Sequence, residues 1–434
     1  MTELRRVLVR GLALLALAAP AAQAQLTVQI TRGVTAPIPV AVVPFGSTAV
    51  LPVDIAQVLQ ADLERSGRFA ALPRPAMLQR PTTGAGVDFP QWRLLKTDYL
   101  VVGRVLADGA RQDLEFELYN VVTGERLIGY RIPAAPTALR LAAHRAADLI
   151  YEKILGVPGA FATRIAYVNV QGPVANRRWR LIVADADGEN AQVVLESHDP
   201  IMSPAWSPDG ARLAYVSFEG QSSAIYVQTL ASGARERVSA RAGINGAPAW
   251  SPDGRRLALT LSQPDGNADI FVLDLASREL LRVTDDPAID TEPNWAPDGR
   301  SLYFTSDRAG RPQVYRITLA AGERPQRITF EGAYNARPRV APDGTQLALV
   351  TLDQGAYRIA VVDVASGRSR VLSGGQLDEG PTFAPNGQVV LFAAREGGRG
   401  VLATVAVDSS VSSRISAAEG EVREPAWSPR IGGP

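Results

Sequence analysis

The sequence predicts two domains, an N-terminal α/β domain followed by a six-bladed all-β propeller closed by its C-terminal strand. Three observations predict it: a six-fold repeat through the longer C-terminal part, alternating strand and helix patterns before it, and an incomplete repeat at the C-terminus. The copies begin at residues 203, 247, 292, 337, 380 and 424, a period of 43 to 45, and read SPAWSPDG, APAWSPDG, EPNWAPDG, RPRVAPDG, GPTFAPNG and EPAWSPR. A period of about 40 to 45 residues with strand-like sequence between turns marks propeller blades of four strands each.

Residues 1–24 have the layout of a cleaved signal peptide. Arg5, Arg6 and Arg10 are basic, Gly11 to Ala19 is a short apolar core, and Ala22-Gln23-Ala24 is a small-x-small cleavage site. Pro20 interrupts the run well before the roughly 20 apolar residues needed to cross a bilayer. The mature chain is therefore expected to start at Gln25, to be exported and to carry no transmembrane segment. The absence of cysteine suits an oxidising compartment and removes disulfides, thiolate nucleophiles and zinc-thiolate sites.

Residues 25–33 alternate, with Leu26, Val28 and Ile30 separated by polar neighbours, the period of a strand with one face to hide. Such a strand can dock within its own protein or pair with the edge of another protein's sheet. Residues 34–158 are read as the α/β domain. An apolar run at Pro39 to Phe45 precedes a helix with Asp54 as N-cap and Ile55, Val58, Leu59 and Leu63 on one face; Ser66-Gly67 ends it. Arg68 to Pro73 follows as a strand, then a short helix near Pro90 to Leu95. Strands at Asp98 to Leu106, Leu114 to Val122 and Arg126 to Ile132 come next, and a helix over Thr137 to Leu155 stops at Gly156 and Pro158. No glycine pattern here resembles a phosphate-cradling loop.

Residues 159–434 are read as the propeller. In each repeat proline presets φ, aspartate bonds the local backbone and glycine tolerates positive φ, so the motif is a turn between two strands. Two further strands follow, as in RLALTLS, DIFVLDL and LLRVT from Arg256. Before the first complete copy stand three strands without an inner one, Thr163 to Val170, Trp179 to Asp185 and Gln192 to Ser197. The last copy is an inner strand with nothing after it. Joining the two yields six blades and leaves no free edge. Trp206, Trp250, Trp295 and Trp427 share one repeat position, where Val340 and Phe383 stand in the other copies, and are expected to pack between blades.

Composition narrows function. The formal net charge is +1, which gives no electrostatic footprint for nucleic acid. His144 and His198 are the two histidines; neither lies near a nucleophile motif, and both are read as surface or capping residues. Asp209, Asp253, Asp298 and Asp343 could in principle ring a metal, but their turn role accounts for them. No catalytic residue, metal or cofactor is assigned, and the expectation is a binding platform and not an enzyme. The rival is a propeller that binds saccharide or gates a hydrolase, although the chain leaves no room for a further domain bearing a catalytic triad.

With GAFATRIAYV at Gly159, IMSPAWSPDG at Ile201, INGAPAWSPDG at Ile244, TEPNWAPDG at Thr291 and FTSDRAGRPQVYRI at Phe304, the mature chain resembles the TolB family of the Tol-Pal system over essentially its whole length. The resemblance implies a non-enzymatic periplasmic adaptor. It would bind the peptidoglycan-associated lipoprotein Pal through one propeller face and TolA through the mature N-terminus, keeping the outer membrane intact and drawing it inward at division; bacteriocins are a further implied class of partner. Carried onto this chain, the Pal contact falls on Asn245, Gly246, Ala247, Thr291 and Glu292. The TolA contact falls on Gln25, Leu26, Thr27, Val28, Gln29, Ile30 and Thr31. Ile244 departs from the family, in which a histidine can occupy this position.

Overall fold

The computed structural model describes residues 28–29, 36–108, 111–263, 266–409, 411–415 and 420–430. The expected signal peptide lies outside them, as do Gln25, Leu26, Thr27, Ile30 and Thr31.

The first domain is a mixed sheet with strand order Phe69–Ala71, Ile38–Val42, Tyr99–Asp108, Arg111–Asn120, Arg126–Ile132. The strand Ile38–Val42 runs parallel to both neighbours, whereas the later strands are antiparallel hairpins. Both faces of its centre are covered, so its apolar run is continuous, as expected of a strand buried on two sides. Val40 and Val42 point to helices α1 (Ile55–Arg65) and α3 (Leu139–Leu155), while Ala41 and Val43 meet Trp92 of the short helix α2 (Phe89–Leu94) on the other face. Asp54 caps α1, its Oδ1 accepting from Gln57 N at 3.0 Å. Gly156 ends α3 at φ 73°, the left-handed C-cap that glycine adopts without a steric penalty. The last helix begins two residues later than the sequence suggests, because Pro136–Ala138 forms a separate 3-10 turn.

Six four-stranded units form the ring. Blades II to VI have inner strands at Ile201–Trp206, Asn245–Trp250, Asp290–Trp295, Asn335–Val340 and Glu379–Phe383. Blade I takes Arg164–Gln171, Arg178–Asp185 and Gln192–Ser197 from its beginning and Glu421–Trp427 from the far end of the chain. The C-terminal strand pairs antiparallel with Arg164–Gln171, from Glu421 opposite Val170 to Trp427 opposite Ile165. The ring is thus closed by hydrogen bonds between its two ends, as the orphan fragments predict.

The turn motif behaves as its chemistry requires. Asp209, Asp253 and Asp343 accept from the backbone N–H two residues on, at 3.0, 3.1 and 3.0 Å, and Asp298 from Arg300 N and Ser301 N at 2.7 and 2.9 Å. The hydroxyls of Ser207 and Ser251, and after them these backbone bonds, lower the pKa of Asp209 and Asp253 and favour their charged forms. The tryptophans pack between blades and do one thing more. Trp206, Trp250 and Trp295 each donate Nε1–H at 3.1 Å to a carbonyl on the preceding blade, at Ala426, Ala205 and Ala249 respectively. Trp427 instead donates to Thr163 Oγ1 at 2.8 Å.

Antiparallel order fixes which loops share a face. The proline-aspartate-glycine turns and the hairpins into the outer strands lie on one face, and the segments leading into the inner strands lie on the other. The α/β domain sits on the first of these. Arg68 pairs with Asp408 of blade VI, and Asn386 Nδ2 and Arg430 Nη2 donate to Pro158 O and Gly159 O at 3.2 and 3.1 Å. His144 is a correction: it is 1 % exposed, between Asp62 of α1 and Asp187 of blade I, and is neither a surface nor a capping residue. It lies on the stripe of α3 that the ring covers, which the helix pattern alone does not reveal. Val28–Gln29 pairs antiparallel with Ser412–Ile415, the outer strand of blade VI, so this part of the N-terminal segment docks on the propeller edge and not in the α/β sheet.

Deleting Arg423 to Pro434 is expected to lower the thermal midpoint sharply, since it opens the ring; unchanged melting would refute closure by this strand. Trp250→Ala removes a buried indole, its bond to Ala205 and the stacked Arg212 guanidinium at 4.5 Å, and is expected to cost about 3 to 5 kcal/mol in urea unfolding.

Candidate partner-binding site at the channel mouth

Every inner strand carries the same irregularity. Its register slips at one point in all six blades, and the residue there has positive φ: Ser203 52°, Ala247 46°, Glu292 58°, Arg337 56°, Gly380 62° and Glu424 50°. Five of the six are not glycine, an uncommon and strained conformation, and proline follows each. A bulge of this kind re-aims a side chain. Here it directs one residue per blade to the mouth of the central channel.

Two residues before the bulge, four blades place a buried polar side chain that locks the incoming loop. Asn245 accepts from Ser239 Oγ at 2.7 Å and Arg241 N at 2.9 Å and donates to Arg241 O at 2.7 Å. Asn335 donates to Glu331 O at 2.7 Å, Asp290 accepts from Arg308 Nη2 at 2.7 Å, and Asp378 accepts from Gly375 N at 3.0 Å. The side chain of Asn245, one of the expected contact residues, is 1 % exposed and is engaged in holding the loop.

Gly246, Ala247, Thr291 and Glu292 are brought together, lining one cavity of about 190 Å³ with Ile244. The carboxylate of Glu292 is engaged there, accepting from Arg337 Nε at 2.8 Å, Arg337 N at 2.9 Å and Thr305 Oγ1 at 2.9 Å. Glu424 mirrors it, accepting from Ser203 N at 2.6 Å and standing 3.7 Å from Arg337 Nη2. Burial alone would lower the pKa of Arg337, but Glu424 and Glu292 outweigh it and hold the pKa above the ordinary arginine value. Arg339 lies deeper in the same cavity, where burial outweighs the carboxylates and lowers its pKa. Ser203, Arg337, Arg339 and Glu424 were not among the expected site residues. For Ser203, Arg337 and Glu424 the signal is the first letter of the repeat, the residue before the proline.

Three residues before each bulge stand Pro200, Ile244, Ile289, Tyr334, Leu377 and Glu421. Ile244 and Ile289 are 50 and 53 % exposed. Phe330 is exposed close by in sequence, and Tyr334 meets Tyr357 edge-on at 5.2 Å. The mouth therefore has an apolar collar around a charged centre, and exposed apolar groups gathered in one place mark interaction sites. His198 is exposed ahead of blade II.

Residues 151–431 match the family described as "TolB beta propeller domain", and residues 26–127 match "TolB amino-terminal domain". The chain belongs to the TolB family. "Tol-Pal system protein TolB" of Methylococcus capsulatus is 60% identical over 416 residues, covering 96% of this chain and 97% of that one. Its namesake in Thioalkalivibrio sulfidiphilus is 56% identical over 428 residues, with 97% and 98% covered. Among solved structures, TolB from Acinetobacter baumannii superposes with a TM-score of 0.86 at 38% identity, covering 93% of this chain and all of that one. The TolB-family fold thus extends through both domains. No helix among the described residues is long and apolar enough to cross a membrane.

Asn245→Ala leaves Arg241 N and Ser239 Oγ without their acceptor and is expected to cost about 1 to 3 kcal/mol in chemical unfolding. A variant of wild-type stability would contradict the loop-holding role.

Proposed function

We propose that the protein is a non-enzymatic periplasmic adaptor of the Tol-Pal system, binding Pal at the channel mouth and TolA through residues 25–31. In this role it maintains outer-membrane integrity and supports invagination of that membrane at division. The observation that carries the reading is the collar of Ile244, Ile289 and Tyr334 around the strained inner-strand residues. Its loops are locked by buried polar groups, so a partner meets a preformed surface and little ordering entropy opposes binding. Gly246, Ala247, Thr291 and Glu292 are the contact residues that sit in this surface. Ile244 makes its side of the contact apolar where a family histidine would make it polar.

Support for the second contact is the edge position of Val28–Gln29. A strand held only at the outer edge of blade VI can leave it and add to another sheet without disturbing the ring. The two contacts lie on different parts of the molecule, so coupling between them would pass through the ring and be reciprocal in free energy.

Calorimetry of the mature protein with purified Pal and TolA tests both. Removing Leu26 to Thr31 is expected to abolish TolA binding and leave Pal binding measurable, whereas Ile289→Asp is expected to weaken Pal alone. Loss of both affinities in either variant would contradict separate sites, and binding of glycan fragments in place of Pal would contradict the adaptor reading.

A further inference from the structure

The junction between the two domains buries a group of charges that the adaptor reading does not use. His144 of α3 has its Nδ1 2.6 Å from Asp62 Oδ2 of α1, and its Nε2 stands 3.7 Å from Asp187 Oδ2 and 4.0 Å from Asp185 Oδ2 on the hairpin into the outer strand of blade I. Arg65 pairs with Asp62, and Arg140 pairs with Asp187 and lies 3.7 Å from Asp185. Asp148, one turn further along α3, accepts from Phe161 N and Ala162 N, at 2.7 and 3.0 Å, in the segment that enters the propeller.

Charge and geometry together select the state of the imidazole. Three carboxylates, Asp62, Asp185 and Asp187, face two guanidinium groups, so the cluster is one positive charge short of neutral. A neutral ring donating Nδ1–H to Asp62 would turn the Nε2 lone pair toward two carboxylates, and Nε2 is buried without a hydrogen-bond partner. A protonated ring removes both conflicts. Asp62, His144 and Asp187 also have the spacing of metal ligands. Yet the arginines already occupy two of the carboxylates, and a divalent cation would sit beside two like charges.

We propose that His144 is a proton-controlled latch between the domains, bridging Asp62 of the α/β domain and Asp187 of the propeller as imidazolium and loosening the junction when it loses its proton. A cleft lined by Arg140 and Asp185 opens beside it and gives protons a route to the cluster. The direction of the titration agrees: burial opposes the charge, but Asp62 and Asp187 outweigh it and raise the pKa of His144 above its ordinary value. The latch therefore contributes fully below about pH 6.5 and is lost as pH rises through the raised folded value. Asp148, pushed up to about 6 by burial, binds its extra proton in a lower range and so does not mask the effect.

Two readouts on the full mature chain test the latch. In a His198→Gln background His144 is the remaining histidine, and its 13Cε1–H resonance is expected to report imidazolium at pH 6.5 and to titrate above that; a neutral ring at pH 6.5 would overturn the proposal. Hydrogen exchange of residues 140–150 and 185–190, corrected for intrinsic pH dependence, is expected to rise up to about tenfold per pH unit in the same range, the slope of one linked proton. His144→Gln is expected to flatten that slope, and an unchanged slope would count against the latch. Should that variant fail to fold, Asp187→Asn keeps the imidazole and is expected to lower its titration midpoint, with an unmoved midpoint counting against the bridge. Equimolar zinc at pH 7.5 is expected to leave the His144 resonance in place; a shift with thermal stabilisation would assign the cluster to a metal.

Discussion

A ring of sheets has no free edge only if its first and last strands find each other, and everything else in this molecule is arranged around that meeting. The pairing of Glu421–Trp427 with Arg164–Gln171 sets the number of blades and the position of the channel. It also fixes where the α/β domain can attach, since α3 enters the ring at the strand that the C-terminus must reach. The backbone N–H of Arg164 donates to Ser428 Oγ at 2.9 Å, so the entry to the ring and its exit are tied at the same point. Closure of this kind joins residues 264 positions apart, and its loop entropy grows only slowly with that length.

The repeated turn made the propeller legible because proline, aspartate and glycine act locally, and a local signal survives without its tertiary context. The tryptophans were legible for a related reason: one residue type at one repeat position has one environment. What lay hidden depends on contacts between distant segments. His144 looks like a helix-surface residue in sequence, since the hairpin of blade I that buries it is more than forty positions away. Asn245 reads in sequence as part of a loop next to exposed residues, and only the comparison with Asp290, Asn335 and Asp378 reveals its loop-locking role. The bulge position was visible as a recurrent residue before proline, but nothing in the residue types, which include serine, alanine, glutamate, arginine and glycine, announces a common backbone conformation.

The channel mouth and the domain junction divide labour between opposite faces of the ring. At the mouth, backbone strain and buried polar locks hold loops in place, and the surface they present is apolar with a neutralised centre. At the junction the domains meet through charges whose balance depends on one proton. Rigid presentation on one face and adjustable attachment on the other are compatible because the blades between them are packed as cores, with Leu213, Leu257, Leu302, Leu347 and Val390 fully buried in successive blades.

The indole bonds between blades are not evenly distributed. They link blades I, II, III and IV in series through Trp206, Trp250 and Trp295. Blade V, with no indole at this position, is tied to blade IV by other polar contacts, among them Val340 N to Asn294 Oδ1 at 2.9 Å and Arg337 Nε to Glu292 Oε1 at 2.8 Å. Blade VI presents Phe383 at this position, which has no donor. The contact between blades V and VI has no indole bond and centres on an apolar cluster around Val350, Ile359, Val390 and Phe392, with Arg370 donating across it to Val407 O. Such a cluster lacks directional bonds and weakens on cooling as hydrophobic stabilisation fades. Mechanically, the ring is a washer with a seam, and the leaf beside that seam is blade VI, the one that holds Val28–Gln29.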